Sequence, residues 1–401
     1  MAEQAVGQGR LLLGRRARGD DPQIPVDLHG IGVNHGPAQA APQRNRQRGL
    51  AACRRACDEN GRNQIFAPRR PRSQRLVTAS CRPFDGCPVE PYIATLIAKP
   101  GSKALSADIV RKAARIVPHG TVTAWLAPDE AVDITFDLGG TRIEPDSDIE
   151  RELVSSYAED MAQEMKALPV DVVCQRNGHR RKKLFVADMD STMIGQECID
   201  ELAAFVGMKE HVAAITERAM RGEIAFEPAL RERVALLKGL SADVVDKVIA
   251  ERITLTPGGR ELVMTMRANG AYTALVSGGF TLFTTRIGKT IGFHEDRSNE
   301  LIVEDGKLAG LVREPILGRE AKLASLIELR DARSIARQDT MAVGDGANDL
   351  AMLGEAGLGV AFHAKPAVAE AAHARIDHSD LTALLFIQGY RRDEFVSGQV
   401  Q

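Results

Sequence analysis

A short apolar segment that ends at two aspartates constrains the fold of this chain more than any other feature. Leu184–Ala187 are four consecutive apolar residues, and Asp188 and Asp190 follow with one residue between them. An apolar run of this length is typical of a strand buried in a parallel sheet. Side chains two apart on a strand point to the same side, so both carboxylates are expected at its carboxyl end. Open α/β sheets bind their ligands at that edge.

Two neighbouring carboxylates favour particular kinds of chemistry. Like charges in contact are unfavourable unless a cation lies between them or one group is protonated. Carboxylate oxygens are ligands that Mg²⁺ prefers, and a carboxylate can also act as a nucleophile beside a second acid. Many Asp-x-Asp pairs are solvated residues at strand ends, so the pair by itself leaves a structural role open.

Two later segments favour binding of a phosphoryl group. Tyr272–Phe280 is a second apolar run that reaches Ser277, Gly278 and Gly279, whose hydroxyl and backbone amides suit a phosphoryl oxygen. Lys322 lies near the start of an amphipathic segment and is a compact cation that can neutralise phosphate charge. Taken singly, an ordinary turn and a surface lysine remain the alternatives.

A third polar group follows another predicted strand. Asp345, Asn348 and Asp349 come directly after Thr340–Gly344, in a turn that contains two glycines. Two carboxylates and an amide supply hard oxygen ligands for Mg²⁺. Asp and Asn also cap helices, but capping does not require three polar residues behind two glycines. A metal site is therefore predicted here.

These segments, in this order, resemble the haloacid dehalogenase (HAD) superfamily of phosphohydrolases, and most closely its phosphoserine phosphatases. The resemblance is carried by DMDST from Asp188, SGGF from Ser277 and GDGAND from Gly344, and it covers about residues 183–390. It implies a Rossmann-like α/β core with a parallel sheet and a small helical cap at about 197–265. It also implies Mg²⁺-dependent hydrolysis of O-phospho-L-serine, the last step of serine biosynthesis.

The resemblance implies a catalytic role for both aspartates of the first motif. Asp188 would attack phosphorus and form an aspartyl-phosphate, and Asp190 would protonate the leaving alkoxide and later activate water. Ser277, the Gly278 amide and Lys322 would bind the phosphoryl oxygens.

The resemblance also implies the metal ligands. These would be Asp188, the backbone carbonyl of Asp190, and Asp345. Asp349 would orient water around the ion, and Asn348 would contact a substrate or phosphate oxygen.

Four residues of the cap segment match substrate-binding residues of the family. Glu197 would bind the substrate ammonium and Arg233 its carboxylate, while Met220 and Phe226 would close over the substrate. One acid and one arginine complement the two charges of phosphoserine, and arginine can hold a carboxylate with two hydrogen bonds. Each residue taken singly is equally typical of a surface charge or of a helix core.

A separate domain is predicted at residues 90–178. Apolar patterns indicate strands and helices in the order βαββαβ, at 92–98, 106–116, 121–126, 131–138, 148–168 and 170–174. This order is that of a ferredoxin-like unit and resembles an ACT-type regulatory domain. Because no ligand motif is present, serine binding, dimerisation and a purely structural role stay open. A homodimer is therefore one hypothesis.

The two ends of the chain do not read as folded domains. Residues 1–86 contain 15 arginines, no lysine and seven acidic residues, without hydrophobic periodicity. A disordered tail, a targeting peptide and a start codon placed too far upstream are the three interpretations, and the arginine bias favours the last. Residues 391–401 are predicted as a loose tail.

Composition narrows the class of protein. No run of 18 apolar residues occurs, which disfavours the ion-pumping ATPases that share aspartyl-phosphate chemistry. Six scattered cysteines fit a reducing cytoplasm better than a disulfide scaffold. We expect a small-molecule substrate, with neither nucleic acid nor membrane as a partner. The open alternatives are another small-metabolite HAD phosphatase, a phosphotransferase similar to homoserine kinases, and an amino-acid sensor with an inactive core.

Overall fold

The computed structural model describes residues 91–138, 143–144, 147–220 and 223–397 of the 401-residue chain. The predicted N-terminal segment 1–86 and the last four residues of the predicted tail lie outside this part. Among the helices in the described ranges, none combines the length and apolar character needed to cross a bilayer.

The first domain is a four-stranded antiparallel sheet with the strand order β2-β3-β1-β4. Two helices pack on one of its faces. The elements are β1 (Tyr92–Ala98), α1 (Ala107–Ala114), β2 (Thr121–Ala127), β3 (Ala131–Phe136), α2 (Asp148–Glu164) and β4 (Val170–Arg176). The predicted βαββαβ order is confirmed. Helix α2 ends at Glu164, before the predicted Leu168, and a turn region follows it up to Pro169.

The second domain is built on a six-stranded parallel sheet with the order β12-β11-β10-β5-β6-β7. Its strands are β5 (Leu184–Ala187), β6 (Tyr272–Phe280), β7 (Glu295–Asn299), β10 (Thr340–Gly344), β11 (Leu358–Phe362) and β12 (Ala374–Ile376). Helices cover both faces: α7 (Gly259–Ala268), α8 (Thr281–Ile291), α9 (Arg319–Ala332), α10 (Leu350–Glu355), α11 (Pro366–Ala371) and α12 (Ala383–Ile387). This confirms the predicted Rossmann-like α/β core with a parallel sheet.

The central strand β5 shows why the sheet needs two covering layers. Leu184 and Val186 pack toward α9 and α10, whereas Phe185 and Ala187 pack toward α7 and α8. All four side chains are fully buried. A continuous apolar run therefore suits this position, since both faces of the strand are covered.

Four helices inserted between β5 and α7 form a helical cap. They are α3 (Cys198–Phe205), α4 (Lys209–Met220), α5 (Phe226–Ala235) and α6 (Val244–Arg252). A two-stranded hairpin, β8 (Leu301–Glu304) and β9 (Lys307–Val312), packs against α5. Its turn is Asp305-Gly306, and both residues have positive φ angles, as a tight hairpin turn requires.

A buried carboxylate joins the antiparallel sheet to the second domain. Asp171 of β4 accepts hydrogen bonds from three consecutive backbone amides after β12, those of Asp377 (2.8 Å), His378 (3.1 Å) and Ser379 (2.9 Å). Hydrogen bonds from backbone amides to a charged carboxylate are stronger than those between neutral groups. The contact fixes the end of β12 relative to β4.

A second buried contact reinforces the first. Arg180, in the segment between the domains, donates two hydrogen bonds to Asp133 of β3, at 2.9 and 3.0 Å. The same guanidinium donates to the carbonyl of Ile387 at the end of α12 (3.1 Å). One side chain therefore bridges both domains, and the sheet face opposite α1 and α2 packs on the core of the second domain.

We expect Asp171→Ala to lower the free energy of unfolding by about 2–4 kcal/mol, because three amides lose a charged acceptor. Asp377→Ala is the matched control: its carboxylate pairs with the exposed Arg375, and we expect a loss below about 1 kcal/mol. Urea denaturation of both variants measures the difference. Equal losses of unfolding free energy in the two variants would contradict the larger contribution that we assign to the buried Asp171 contact.

Candidate active site

The carboxyl ends of three adjacent strands bring the predicted motifs together. Strand β5 pairs with β10 on one side and β6 on the other, all parallel. Asp188 follows β5, Asp345 follows β10, and Ser277 lies near the end of β6. Residues separated by about 150 positions in sequence therefore share one edge of the sheet.

A buried ammonium lies at the centre of this edge. Lys322 of α9 is 1% exposed, and its Nζ lies 2.7 Å from Asp188 Oδ1 and 2.7 Å from Asp349 Oδ1. The Met189 amide also donates to Asp188 Oδ1 at 2.8 Å. A Cβ on Gly344 would lie 2.4 Å from Asp349 Cγ, so this close approach requires glycine.

Burial dominates the electrostatics of these groups. It raises the pKa of Asp188 well above its usual range, the charge of Asp349 adds to the rise, and Lys322 opposes it. Burial by itself would lower the pKa of Lys322, but the two aspartates reverse this and raise it. The arrangement therefore keeps the lysine protonated.

Three carboxylates form a group that could hold a cation. Asp188, Asp345 and Asp349 each offer an oxygen, and these oxygens all lie within 4.8 Å of one another. Thr192 Oγ1 donates to Asp345 Oδ1 at 3.3 Å. Burial, followed by Asp349 and Glu197, raises the pKa of Asp345 to about 6. The three carboxylates together carry more negative charge than Lys322 neutralises. Such a set of hard oxygen donors fits a divalent cation such as Mg²⁺.

Asp190 is held apart from this group. Its Oδ1 accepts from the Cys198 amide at the start of α3 (2.8 Å), and its Oδ2 accepts from Ser277 Oγ (3.2 Å). Burial, with a further contribution from Glu197, raises the pKa of Asp190 to about 6. A carboxyl group with this pKa can carry a proton and release it near neutral pH.

A cavity of about 420 Å³ separates the sheet edge from the cap. Asp188, Asp190 and Ser277 line it from below, and Glu197 and Arg233 line it from the cap. The cavity is therefore large enough for a small metabolite, with a phosphate-compatible side and a charged cap side.

The cap side of the cavity has a half-buried guanidinium. Arg233 of α5 donates through Nε to the Ala229 carbonyl (3.2 Å) and through Nη1 to Thr216 Oγ1 (3.4 Å). Burial lowers its pKa, whereas the charges of Asp200 and Glu197 oppose this effect. Glu197 accepts from Ser191 Oγ at 2.7 Å.

Known proteins share this sequence and this fold. The sequence model of the haloacid dehalogenase-like hydrolases matches residues 185–354. A phosphoserine phosphatase of Polaromonas sp. is 49% identical over 208 residues, which are 51% of this chain and 88% of that protein. The chain belongs to the phosphoserine phosphatase family of HAD hydrolases. The family predicted from the three motifs is therefore confirmed.

Two further family comparisons extend the match. A phosphoserine phosphatase of Streptomyces coelicolor is 45% identical over 236 residues, which are 58% of this chain, and the chain spans 57% of the length of that relative. The solved structure of a probable phosphoserine phosphatase from Vibrio cholerae has a TM-score of 0.59 and 31% identity. The match covers 76% of this chain and 88% of the Vibrio cholerae chain, so the likeness extends beyond the parallel-sheet domain.

Most of the residues that the family resemblance singled out meet at the cavity. The lining includes Phe226, Gly278 and Asn348 in addition to the residues already described. Lys322 and Asp349 lie beneath it, where both are buried. Met220 is the last residue of α4, and its side chain lies outside the described part of the structure.

Three polar side chains of the lining were not predicted from the sequence. Asp200, Thr216 and Lys365 also face the cavity. Asp200 lies in the first turn of α3, three residues after the N-cap residue Glu197, so the two acids are close in sequence at the start of this helix. That signal was available, whereas Thr216 and Lys365 carry none in their local sequence.

Metal binding should depend on pH through Asp345. Its folded pKa of about 6 exceeds the unfolded value of about 3.9, so the contribution of this group to metal-free stability is greatest below about pH 4 and is lost as pH rises through 6. Mg²⁺ competes with these protons. Excess Mg²⁺ should therefore raise the melting temperature by about 3 °C or more near pH 7.5, and by clearly less near pH 5.

The matched variants are Asp345→Asn, which should lose most of the Mg²⁺ effect, and Asp296→Asn. Asp296 accepts hydrogen bonds from Thr284 and Thr285 away from the cavity, and its variant should keep the effect. A Mg²⁺ shift that is equal at both pH values, or that survives in Asp345→Asn, would contradict the prediction.

Proposed function

We propose that this chain is a Mg²⁺-dependent enzyme that hydrolyses O-phospho-L-serine to L-serine and phosphate, the last step of serine biosynthesis. The observation that carries the proposal is one cavity with two chemically different sides. One side holds Asp188, Asp190 and Ser277, and the other holds Glu197 and Arg233. The names of the Polaromonas and Streptomyces relatives support the same substrate.

The first chemical step would be attack by Asp188 on phosphorus. Its Oδ1 is engaged by Lys322 and by the Met189 amide, which leaves Oδ2 as the attacking oxygen. The P–O bond to serine breaks as the aspartyl-phosphate forms, and Asp190 gives its proton to the leaving serine oxygen. Ser277, the Gly278 amide and Lys322 would bind the phosphoryl oxygens, so catalysis rests mainly on positioning and charge.

The second step would hydrolyse the aspartyl-phosphate. Asp190, now ionised, would take a proton from the attacking water. The bond between phosphorus and Asp188 would then break, which releases phosphate and restores the free carboxylate of Asp188. A pKa of about 6 suits both roles, since the group must be an acid in one step and a base in the next.

The acidic group at the sheet edge would hold the cofactor. Asp188, the Asp190 backbone carbonyl and Asp345 would bind Mg²⁺, with Asp349 orienting water around it and Asn348 contacting a phosphate or substrate oxygen. Bound there, the ion neutralises charge on the phosphoryl group.

The cap would select the substrate. Glu197 would bind the ammonium of phosphoserine and Arg233 its carboxylate, while Phe226 and Met220 would close over it. Partial burial of Arg233 favours a bound anion, because a partly desolvated guanidinium gains more from a charged partner than a fully exposed one does.

We also propose that the domain at 90–178 supports the catalytic domain at 183–390. Its cap is formed by α3 to α6, and the predicted cap bound at 265 is too late because it falls within α7, which packs on the sheet. The Asp171 and Arg180 contacts support a fixed arrangement of the two domains. Serine binding and dimerisation remain the alternatives for this domain.

Two substrates separate the catalytic residues from the cap residues. Asp188→Asn should reduce turnover of both O-phospho-L-serine and p-nitrophenyl phosphate by more than about 10³-fold, since the nucleophile is lost. Arg233→Ala should reduce kcat/KM for phosphoserine by about 10–100-fold, the equivalent of one charged hydrogen-bonded contact, and leave p-nitrophenyl phosphate within about twofold.

The matched control for the cap is Arg231→Ala, which removes an exposed arginine of the same helix that pairs with Glu227 and Glu314. It should leave both activities unchanged. Unaltered phosphoserine turnover in Arg233→Ala would overturn the proposed substrate, and would favour another small-metabolite phosphatase or a phosphotransferase.

The acid and base roles of Asp190 can be tested separately. Nitrophenolate leaves without a proton, so Asp190→Asn should still be phosphorylated by p-nitrophenyl phosphate but should hydrolyse the aspartyl-phosphate about 10²–10⁴-fold more slowly. Stopped-flow absorbance should then show a burst of about one nitrophenolate per active site. Steady release at the wild-type rate, with no burst, would exclude Asp190 as the base.

A further inference from the structure

The end of β7 contains a buried polar residue that the proposed mechanism does not use. Asn299 is 2% exposed and is the last residue of the strand. In the ladder between β6 and β7, Val276 pairs with Arg297 and Phe280 pairs with Asn299. Residues 277–279 therefore bulge out of the ladder, and their backbone groups need other partners.

The Asn299 side chain supplies partners to two separate backbone segments. Its Nδ2 donates to the Gly278 carbonyl (2.8 Å) and to the Leu317 carbonyl (3.1 Å). Its Oδ1 accepts from the Leu317 amide (2.6 Å). A carboxamide, with donors and an acceptor on one planar group, suits this set of partners.

The first of these segments is the proposed phosphate-binding loop. The Gly278 carbonyl and the Gly279 amide belong to one peptide group, and that amide donates to Ser277 Oγ at 2.9 Å. The peptide is thus held by Asn299 at one end and by Ser277 at the other. Its orientation determines where Ser277 Oγ and the preceding Gly278 amide point.

The second segment leads into the helix that carries Lys322. Leu317 precedes Gly318, whose carbonyl accepts the hydrogen bond of the Lys322 amide (3.2 Å). Pinning Leu317 by both its amide and its carbonyl therefore fixes the start of α9. Asn299 links this start directly to the Gly278 loop.

The cap meets the same junction. A Cβ on Gly278 would lie 3.6 Å from Phe226 Cζ, and a Cβ on Gly318 would lie 3.4 Å from Phe226 Cδ1. The Phe226 ring of the cap thus packs against both segments that Asn299 joins.

We propose that Asn299 is a positioning residue that sets the spacing between the Ser277–Gly279 loop and Lys322, and thereby the fit of the phosphoryl group. The inference rests on the proposed function in that both segments bind phosphate. It concerns the phosphate side of the cavity, so it applies to any phosphate ester that enters.

The test compares Asn299→Asp and Asn299→Ser with Tyr272→Phe. Asn299→Asp keeps the size and the acceptor for the Leu317 amide, but it replaces the donor with an oxygen that faces two carbonyls. Tyr272→Phe is the matched control, because it removes a different contact between β6 and β7, the hydrogen bond from Tyr272 to Glu295 (2.6 Å). Each variant is assayed with O-phospho-L-serine, with p-nitrophenyl phosphate and by calorimetric titration with orthophosphate.

Asn299→Asp should lower kcat/KM for both esters by the same factor, about 10–100-fold, and weaken orthophosphate binding about tenfold, since both effects arise from the shared phosphoryl group. Tyr272→Phe should stay within about threefold of wild type in each measurement. If Asn299→Asp does not fold, Asn299→Ser is judged by the same criteria.

Two results would overturn the proposal. The first is a folded variant whose orthophosphate binding and p-nitrophenyl phosphate turnover both stay within about threefold of wild type. Asn299 would then be purely structural, even if the melting temperature of the variant falls. The other is a loss confined to phosphoserine, which would place the effect in the cap. Wild-type protein that binds orthophosphate but does not hydrolyse phosphoserine would instead overturn the proposed substrate.

Discussion

The contact on which the site depends is the buried ammonium of Lys322 between Asp188 and Asp349. Moving ionised groups out of water costs several kcal/mol each, and a buried pair is tolerated only when geometry and additional hydrogen bonds are favourable. Both conditions hold here, since Lys322 contacts each carboxylate at 2.7 Å and the Met189 and Gly346 amides donate to the same two aspartates. The lysine comes from α9 and the aspartates from separate loops, so this contact also aligns three parts of the sheet edge.

The sequence predicted this edge because its signals are local. Apolar runs of four to five residues identify buried parallel strands, and polar residues directly after such runs must lie at the carboxyl edge. Strand β5 was predicted at the residues where it lies, and the order of the first domain follows from similar patterns. The end of α2 was not predicted, because an apolar pattern that continues to Leu168 does not mark the point at which the helix stops, Glu164.

The residues that the sequence did not identify depend on tertiary pairing. Asn299 is the last residue of a polar strand, and its partners Gly278 and Leu317 are 21 and 18 residues away. Its importance arises only because β6 bulges where it passes β7, and no local pattern encodes that bulge. Thr216 is similar, since it faces the cavity only once α4 packs beside α5.

The two sides of the cavity are built in different ways, which bears on how substrate choice can change. On the phosphate side Asp188, Ser277 and Lys322 are buried at the edge of the sheet, where altering one residue disturbs its charged neighbours. The cap side uses helices whose lining side chains are partly exposed, such as Phe226 at 41%. Its charges, Glu197 and Asp200 against Arg233, leave an acidic excess that favours a substrate with an ammonium group. Substitutions in the cap can therefore redirect specificity while the phosphate chemistry beneath is retained.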